Sequence, residues 1–215
     1  MLRTLFILIF FANTLWGTST LWGTSCAASQ AAPVILVLGD SISAGYGIAQ
    51  EQSWPTLLGQ RLQSEAYPHA VANLSISGET TRGGLSRLGP ALQQHRPEVV
   101  IIALGANDGL RGLPLEQMRD NLRAMIQLSQ ASHARVLLLG MRLPPNYGSD
   151  YTLKFQQTYT NLARQHKTAL LPFLFAGFAE RPDAFQNDGI HPTAASQALL
   201  LDNVWGKLQP LLRKQ

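Results

Sequence analysis

Cysteine is nearly absent from this chain: of 215 residues only Cys26 is one, so no internal disulfide can form. Charge is scarce as well. Charged residues make up 14% against 46% hydrophobic, a balance opposite to that of disordered chains, which combine low hydrophobicity with high net charge. No CxxC, HExxH or zinc-finger spacing occurs, which lowers the expectation of a metal site, and no metal or other cofactor is expected. Basic runs are missing too; only Arg213-Lys214 are adjacent, and the net charge is +4, so a nucleic-acid partner is not expected. The longest apolar run near the start, residues 5–12, is too short for a membrane-spanning helix, which needs about 20 residues.

What is present at the N-terminus fits a secretory leader. Arg3 precedes the apolar run, small residues follow around Ser25-Cys26-Ala27, and Ser25-x-Ala27 satisfies the small-x-small cleavage rule. We therefore expect residues 1–27 to be a signal peptide, residues 28–215 to be the mature domain, and the location to be periplasmic or secreted. Removal of 1–27 takes away Arg3 and no acid, which lowers the net charge from +4 to +3. The repeat Thr14-Leu15-Trp16-Gly17-Thr18-Ser19, followed at once by the same residues at 20–25, reads as a duplication within that segment rather than a solenoid. Cys26 is open to two readings, a small residue beside the cleavage site or a lipid attachment point. The second is disfavoured by Gly23, where a lipoprotein signal normally carries Leu.

From Pro33 onward, short apolar runs alternate with longer amphipathic ones. The pattern predicts strands at 34–38, 69–74, 99–104, 136–139 and 169–171, and helices at 54–64, 85–94, 114–131, 151–165 and 193–208. Ser53 is positioned to cap the first of these helices. Leu115, Met118, Leu122, Met125, Ile126 and Leu128 are expected on the core face of the third. Alternating strands and helices imply parallel pairing with right-handed crossovers, and with no Pro/Ser-rich linker the mature chain reads as one α/β domain.

In such sheets reacting groups sit on loops beyond the carboxyl ends of the strands. Three of these loops are rich in Gly and small polar residues: Gly39-Asp40-Ser41-Ile42-Ser43, Ser75-Ile76-Ser77-Gly78-Glu79 and Gly105-Ala106-Asn107-Asp108-Gly109. Ser41, at a strand-to-helix turn, is a candidate nucleophile or an ordinary helix-capping serine. Phosphate-loop and GxSxG patterns do not occur around it.

A serine nucleophile needs a base and a group that orients the base. His191 in Asp188-Gly189-Ile190-His191-Pro192 has a carboxylate three residues away, as in a Ser-His-Asp arrangement; spacing alone leaves a helix-entry histidine equally open. His69, His95, His133 and His166 are expected at the solvated surface. Acyl transfer also requires donors aimed at the developing oxyanion. The Ser41 N–H, the Gly78 N–H and the Asn107 side-chain amide qualify, although Gly78 and Asn107 also read as turn residues. Asp40 and Asp108 are read as loop-fixing acceptors of backbone N–H groups.

Taken in order, Gly39-Asp40-Ser41, Gly78, Gly105-x-Asn107-Asp108 and Asp188-x-x-His191-Pro192 resemble the four blocks of the SGNH (GDSL) hydrolase family. Ile42 departs from the Leu of the family name. Between the blocks, residues 107–112, 142–148 and 170–173 resemble its branch of periplasmic acyl thioesterases, arylesterases and lysophospholipases, and the similarity covers nearly all of 33–211. The resemblance implies a three-layer α/β/α sandwich with a flavodoxin-like, doubly wound, five-stranded parallel sheet. It also implies Ser41 as nucleophile, His191 as base and then acid, Asp188 as its orienter, and Ser41, Gly78 and Asn107 as the oxyanion hole. In the family the loop matching 107–113 moves when the acyl chain binds. By that match Leu110 and Leu113, with Asn146 and Tyr147 of the Pro-rich loop, are implied as acyl-binding residues, loop packing being the alternative.

The expected reaction is hydrolysis of acyl esters and thioesters, lysophospholipids included, by a monomer without cofactor or stable membrane span. A carbohydrate O-acetylesterase on the same scaffold is one rival. A periplasmic binding module without catalysis is another, and five intact site residues argue against it.

Overall fold

The computed structural model describes residues 32–214. The expected leader and Cys26 lie outside the described residues. Five parallel strands, β1 (Val34–Gly39), β2 (Ala70–Asn73), β3 (Val99–Ala103), β4 (Arg135–Leu139) and β5 (Ala169–Leu171), form one sheet in the order β2-β1-β3-β4-β5. The inner strands β1, β3 and β4 are nearly continuous apolar runs because both faces of the sheet are covered, while the edge strand β2 is exposed at Ala70 and half-buried beyond it. Alternate residues go to opposite sides. Ile35, Val37, Val99, Ile101, Leu137 and Leu139 join one core cluster, while Leu36, Leu38, Val100, Ile102, Val136 and Leu138 join another.

The first cluster is closed by α2 (Trp54–Ser64) and α7 (Gln197–Leu208) through Trp54, Leu58, Leu62, Leu200 and Val204. The second is closed by α3 (Thr81–His95), α5 (Leu115–Ala131) and α6 (Ser149–His166) through Leu88, Leu122, Met125, Phe155 and Tyr159. All of these are fully buried, and each such side chain contributes about 1.5–3 kcal/mol of hydrophobic stabilisation. Two short helices, α1 (Ser41–Ala44) and α4 (Ala106–Leu110), follow β1 and β3 directly. From β1 the chain moves one way to β2 and then back across to β3, so the switch point lies between β1 and β3, and a crevice opens there at the strand ends. No helix among the described residues is long and apolar enough to cross a membrane.

Several local expectations are corrected. Helix α3 starts at Thr81 rather than 85: Thr80 caps it by accepting the Gly83 N–H, and a Cβ on Gly84 would lie 2.3 Å from Leu104 Cδ1. The glycines that obscured this first turn let the helix lie close on the sheet. Ser53 occupies the cap position of α2, but its hydroxyl donates to the Gln50 carbonyl; Gln197 Oε1 accepts the Trp54 N–H at 3.0 Å instead. Leu128 is 42% exposed, and Ser129 takes the buried place, donating to the Met125 carbonyl at 2.8 Å. The closing helix begins as a 3-10 turn at Ala194–Ser196.

Of the four remaining histidines only His133 is exposed; His95 and His166 are half-buried. His69 is buried with Nε2 3.1 Å from Glu98 Oε2. Glu98 is also bonded to Arg135, so its charge is already matched, and burial together with Arg135 holds His69 below its ordinary pKa as a neutral donor.

Candidate active site

Strand β1 ends at Gly39 and the chain turns at once into α1. The turn is tight: a Cβ on Gly39 would lie 2.8 Å from Ser43 Oγ and 2.9 Å from Ser75 Oγ. Asp40 is the cap residue, its Oδ1 accepting the Ile42 N–H at 3.1 Å. Helix α1 ends after one turn at Gly45, in the left-handed region at φ 74°. These constraints hold Ser41 half-buried at the sheet's carboxyl edge. Asp40 itself is 3% exposed, and burial pushes its carboxyl up to about 6.

The segment before α7 closes on itself. Gln186 N–H donates to the His191 carbonyl at 2.7 Å and Thr193 N–H to the Ala184 carbonyl at 2.9 Å, with a β-bridge between Phe185 and Pro192. Within the turn, Asp188 Oδ1 accepts the N–H groups of Ile190 and His191, both at 2.9 Å. Its Oδ2 lies 2.7 Å from His191 Nδ1. The two backbone donors, then the His191 ring, hold the Asp188 carboxyl at about 2, so it is ionised at neutral pH. An ionised Asp188 makes Nδ1 the protonated nitrogen, which leaves Nε2 to accept from Ser41 Oγ at 2.8 Å. Ser41, His191 and Asp188 are thus connected in one chain of hydrogen bonds.

The β2 and β3 loops are laced to this turn and to each other. Asn73 Nδ2 donates to the Ser43 carbonyl at 2.8 Å, and the Ile76 N–H to the Gly39 carbonyl at 3.0 Å, which brings the Gly78 loop beside β1. Gly78 has φ 78°, a conformation that favours glycine. One Asn107 amide N–H donates to the Glu79 carbonyl at 3.0 Å; the second N–H of that group stays free for another acceptor. Asp108 is buried and binds Thr81 twice, accepting its N–H at 2.9 Å and its hydroxyl at 2.5 Å. Gly105, at φ 114°, is where β3 turns into α4.

Of the residues implied for the acyl chain, Tyr147 donates to the Leu110 carbonyl at 2.9 Å, so these two are brought together. Leu113 is joined through its carbonyl to Tyr151 Oη at 3.1 Å, and Asn146 is exposed on the 3-10 turn Pro145–Tyr147. Sequence reasoning missed Tyr151, and also Arg111, whose Nη2 donates to the Gly78 carbonyl at 2.9 Å. It missed Tyr46 as well. The Tyr46 ring lies 4.5 Å from the His191 ring, centroid to centroid, and the available signal was an aromatic residue between Gly45 and Gly47 directly after α1. Among the described residues no cluster of three His, Cys, Asp or Glu is placed to hold a metal ion.

Residues 37–199 match the model of the GDSL-like lipase/acylhydrolase family. The chain belongs to that family. It is similar to esterase TesA of Pseudomonas aeruginosa, 50% identical over 182 residues that cover 85% of this chain and 90% of the relative. An arylesterase of Vibrio mimicus is 41% identical over 204 residues, 95% and 96% of the two chains. Thioesterase 1/protease 1/lysophospholipase L1 of Escherichia coli K12 is 42% identical over 182 residues, 85% and 86% of the two. A crystal structure of TesA superposes with a TM-score of 0.81 at 49% identity, covering 83% of this chain and 99% of that one. As a member of this acylhydrolase family the protein is an ester-hydrolysing enzyme on the flavodoxin-like α/β fold.

Proposed function

We propose that the protein is a serine esterase and thioesterase that works through an acyl-Ser41 intermediate. The observation that carries this reading is the continuous contact from Ser41 Oγ through the His191 ring to the Asp188 carboxylate, at 2.8 and 2.7 Å. His191 Nε2 takes the Ser41 proton as Oγ attacks the acyl carbon, then delivers it to the departing alcohol or thiol. The same nitrogen activates water for the second half. Asp188 fixes the ring and stabilises the imidazolium. The carbonyl oxygen, negative in the tetrahedral intermediate, is received by the N–H groups of Ser41 and Gly78 and by the Asn107 amide. Donors of this kind contribute about 3–4 kcal/mol each where removal has been measured in hydrolases.

Leu110, Leu113, Asn146 and Tyr147 form the wall of the acyl groove. The names of the relatives support aryl esters, acyl thioesters and lysophospholipids as substrate classes. Residues 1–27 are a signal peptide that directs a monomeric catalytic domain, 28–215, to the periplasm or beyond.

The test is Ser41→Ala, expected to leave only a trace of aryl-ester and thioester hydrolysis in a folded protein, together with a fluorophosphonate probe whose label maps to Ser41. Substantial activity in Ser41→Ala overturns the mechanism. A series of acyl-chain lengths separates this reading from a carbohydrate acetylesterase, which would act on acetyl groups alone.

A further inference from the structure

Donors that converge on one oxygen from separate loops work only if something fixes those loops against each other. Gly78 lies in a turn closed by the Glu79 N–H donating to the Ile76 carbonyl at 3.1 Å. Its φ is 78°, and Ser77 before it has no positive φ, the signature of a type II turn. The Gly78 N–H belongs to the central peptide of that turn, so closing the turn does not use it. The base is firmly held. The Ile76 N–H donates to the Gly39 carbonyl at 3.0 Å, Arg87 Nη1 to the Leu74 carbonyl at 3.1 Å and Arg87 Nε to Glu79 Oε2 at 2.9 Å.

The tip is held by a single side chain. Among the described residues, the one hydrogen bond that reaches Ser77 or Gly78 runs from Arg111 Nη2 to the Gly78 carbonyl, at 2.9 Å. Arg111 sits at the end of α4, four residues after Asn107, and its N–H donates to the Asn107 carbonyl at 3.2 Å. Side chains four apart share one helix face, so α4 grips two successive carbonyls of the turn, that of Gly78 with Arg111 and that of Glu79 with Asn107. Arg111 is exposed, where a hydrogen bond adds little to folding stability, and the worth of the bond lies in what it holds in place. We propose that Arg111 is a positioning residue of the oxyanion hole: it keeps the Gly78 turn at the separation from Asn107 at which the Gly78 N–H and the Asn107 amide meet one oxygen. The proposal rests on Ser41 being the nucleophile and on those two groups being the donors.

The test is steady-state hydrolysis of an aryl butyrate by the wild type, Arg111→Ala and Arg111→Lys. Misplacing a catalytic group by about 1 Å costs about 100-fold in rate. With the base of the turn and the Asn107 bond intact, Arg111→Ala lowers kcat by about 10-fold and leaves KM within about 2-fold, the pattern of an interaction made in the transition state. Arg111→Lys, whose ammonium also donates to a carbonyl, recovers most of the loss. Thermal unfolding of both variants matches the wild type. Affinity for a trifluoromethyl ketone with the same acyl chain, whose adduct with Ser41 carries the oxyanion, falls in parallel with kcat/KM. A raised KM at unchanged kcat would mean that Arg111 binds substrate, and a lowered kcat with unchanged affinity for the ketone would mean that it acts on another step. Unchanged kinetics would mean that the turn holds itself. Each of these results overturns the proposal, and so does a fall in Tm that accounts for the lost activity. Failure of the fluorophosphonate probe to label Ser41 in the wild type would instead remove its premise.

Discussion

Replacing Asp40 by Asn tests how strongly burial acts on the turn that carries Ser41. The Asp40 carboxyl is 3% exposed and its pKa is raised from 3.8 to about 6, chiefly by desolvation, with Asp108 adding and the Ile42 N–H and His191 opposing. A group whose folded pKa exceeds its unfolded value favours folding below the unfolded value and loses that contribution as pH rises through the folded one. The shift is about two pKa steps at about 1.36 kcal/mol each, so between pH 4 and pH 8 the native state gives up about 2–3 kcal/mol on account of this one carboxyl. That is a large part of the 5–15 kcal/mol that typically separates folded from unfolded chains. Asn retains an oxygen for the Ile42 N–H and is as good a cap residue as Asp, while it cannot titrate. Urea unfolding of wild type and Asp40→Asn at pH 4, 6 and 8 reads the difference. The variant's advantage over wild type is expected to grow by about 2–3 kcal/mol from the lowest pH to the highest, most of it between pH 4 and pH 6, where the unfolded carboxyl is ionised and the native one is not. Parallel stability curves would refute the reasoning, because they would mean that Asp40 ionises in the native state as easily as in the unfolded chain.

Two further substitutions probe the loop after β3. Gly105→Ala places a Cβ 2.3 Å from Tyr159 Oη and 2.9 Å from Met118 Cε, at φ 114°, and should destabilise by about 2–4 kcal/mol. Differential scanning calorimetry should show a fall in Tm of about 2–4 °C for each of those kcal/mol. Thr81→Val removes the hydroxyl that donates to buried Asp108 and is expected to cost about 2 kcal/mol in urea titration. It should also lower kcat more than it raises KM, because Asp108 anchors α4, which carries Asn107, the oxyanion donor proposed above.

Strands β1, β3 and β4 were legible because a run covered on both faces carries no competing pattern, and their observed bounds differ by a residue or so from those expected. The candidate site residues stood out for a different reason. Ser41, Gly78 and Asn107 fall in Gly-rich polar stretches that directly follow β1, β2 and β3, while Asp188 and His191 stood out only by their spacing, in the turn before α7. What was illegible depended on partners distant in the chain. His69 looks like any histidine beside a loop until β3 brings Glu98 alongside it and β4 brings Arg135. The first turn of α3 was hidden by Gly83 and Gly84, whose worth is apparent only once Leu104 is known to lie beneath. Leu128 sits at the edge of a helical stripe, and no periodicity distinguishes the edge from the centre.

The contact between Ser41 and His191 spans 150 residues, and the bond that caps α2 from Gln197 spans 143. The first joins α1 to the turn that precedes α7 and the second joins α2 to the first residue of α7, so neither can form on a nascent chain until nearly all of it has been synthesised. With Ser41 and His191 as the nucleophile and base proposed above, turnover is then a report of completed folding. A truncated product lacking α7 and the His191 turn would be hydrolytically silent, and two fragments divided in the exposed stretch after β4 would recover activity only on reassociating, which suits the chain to use as a split reporter.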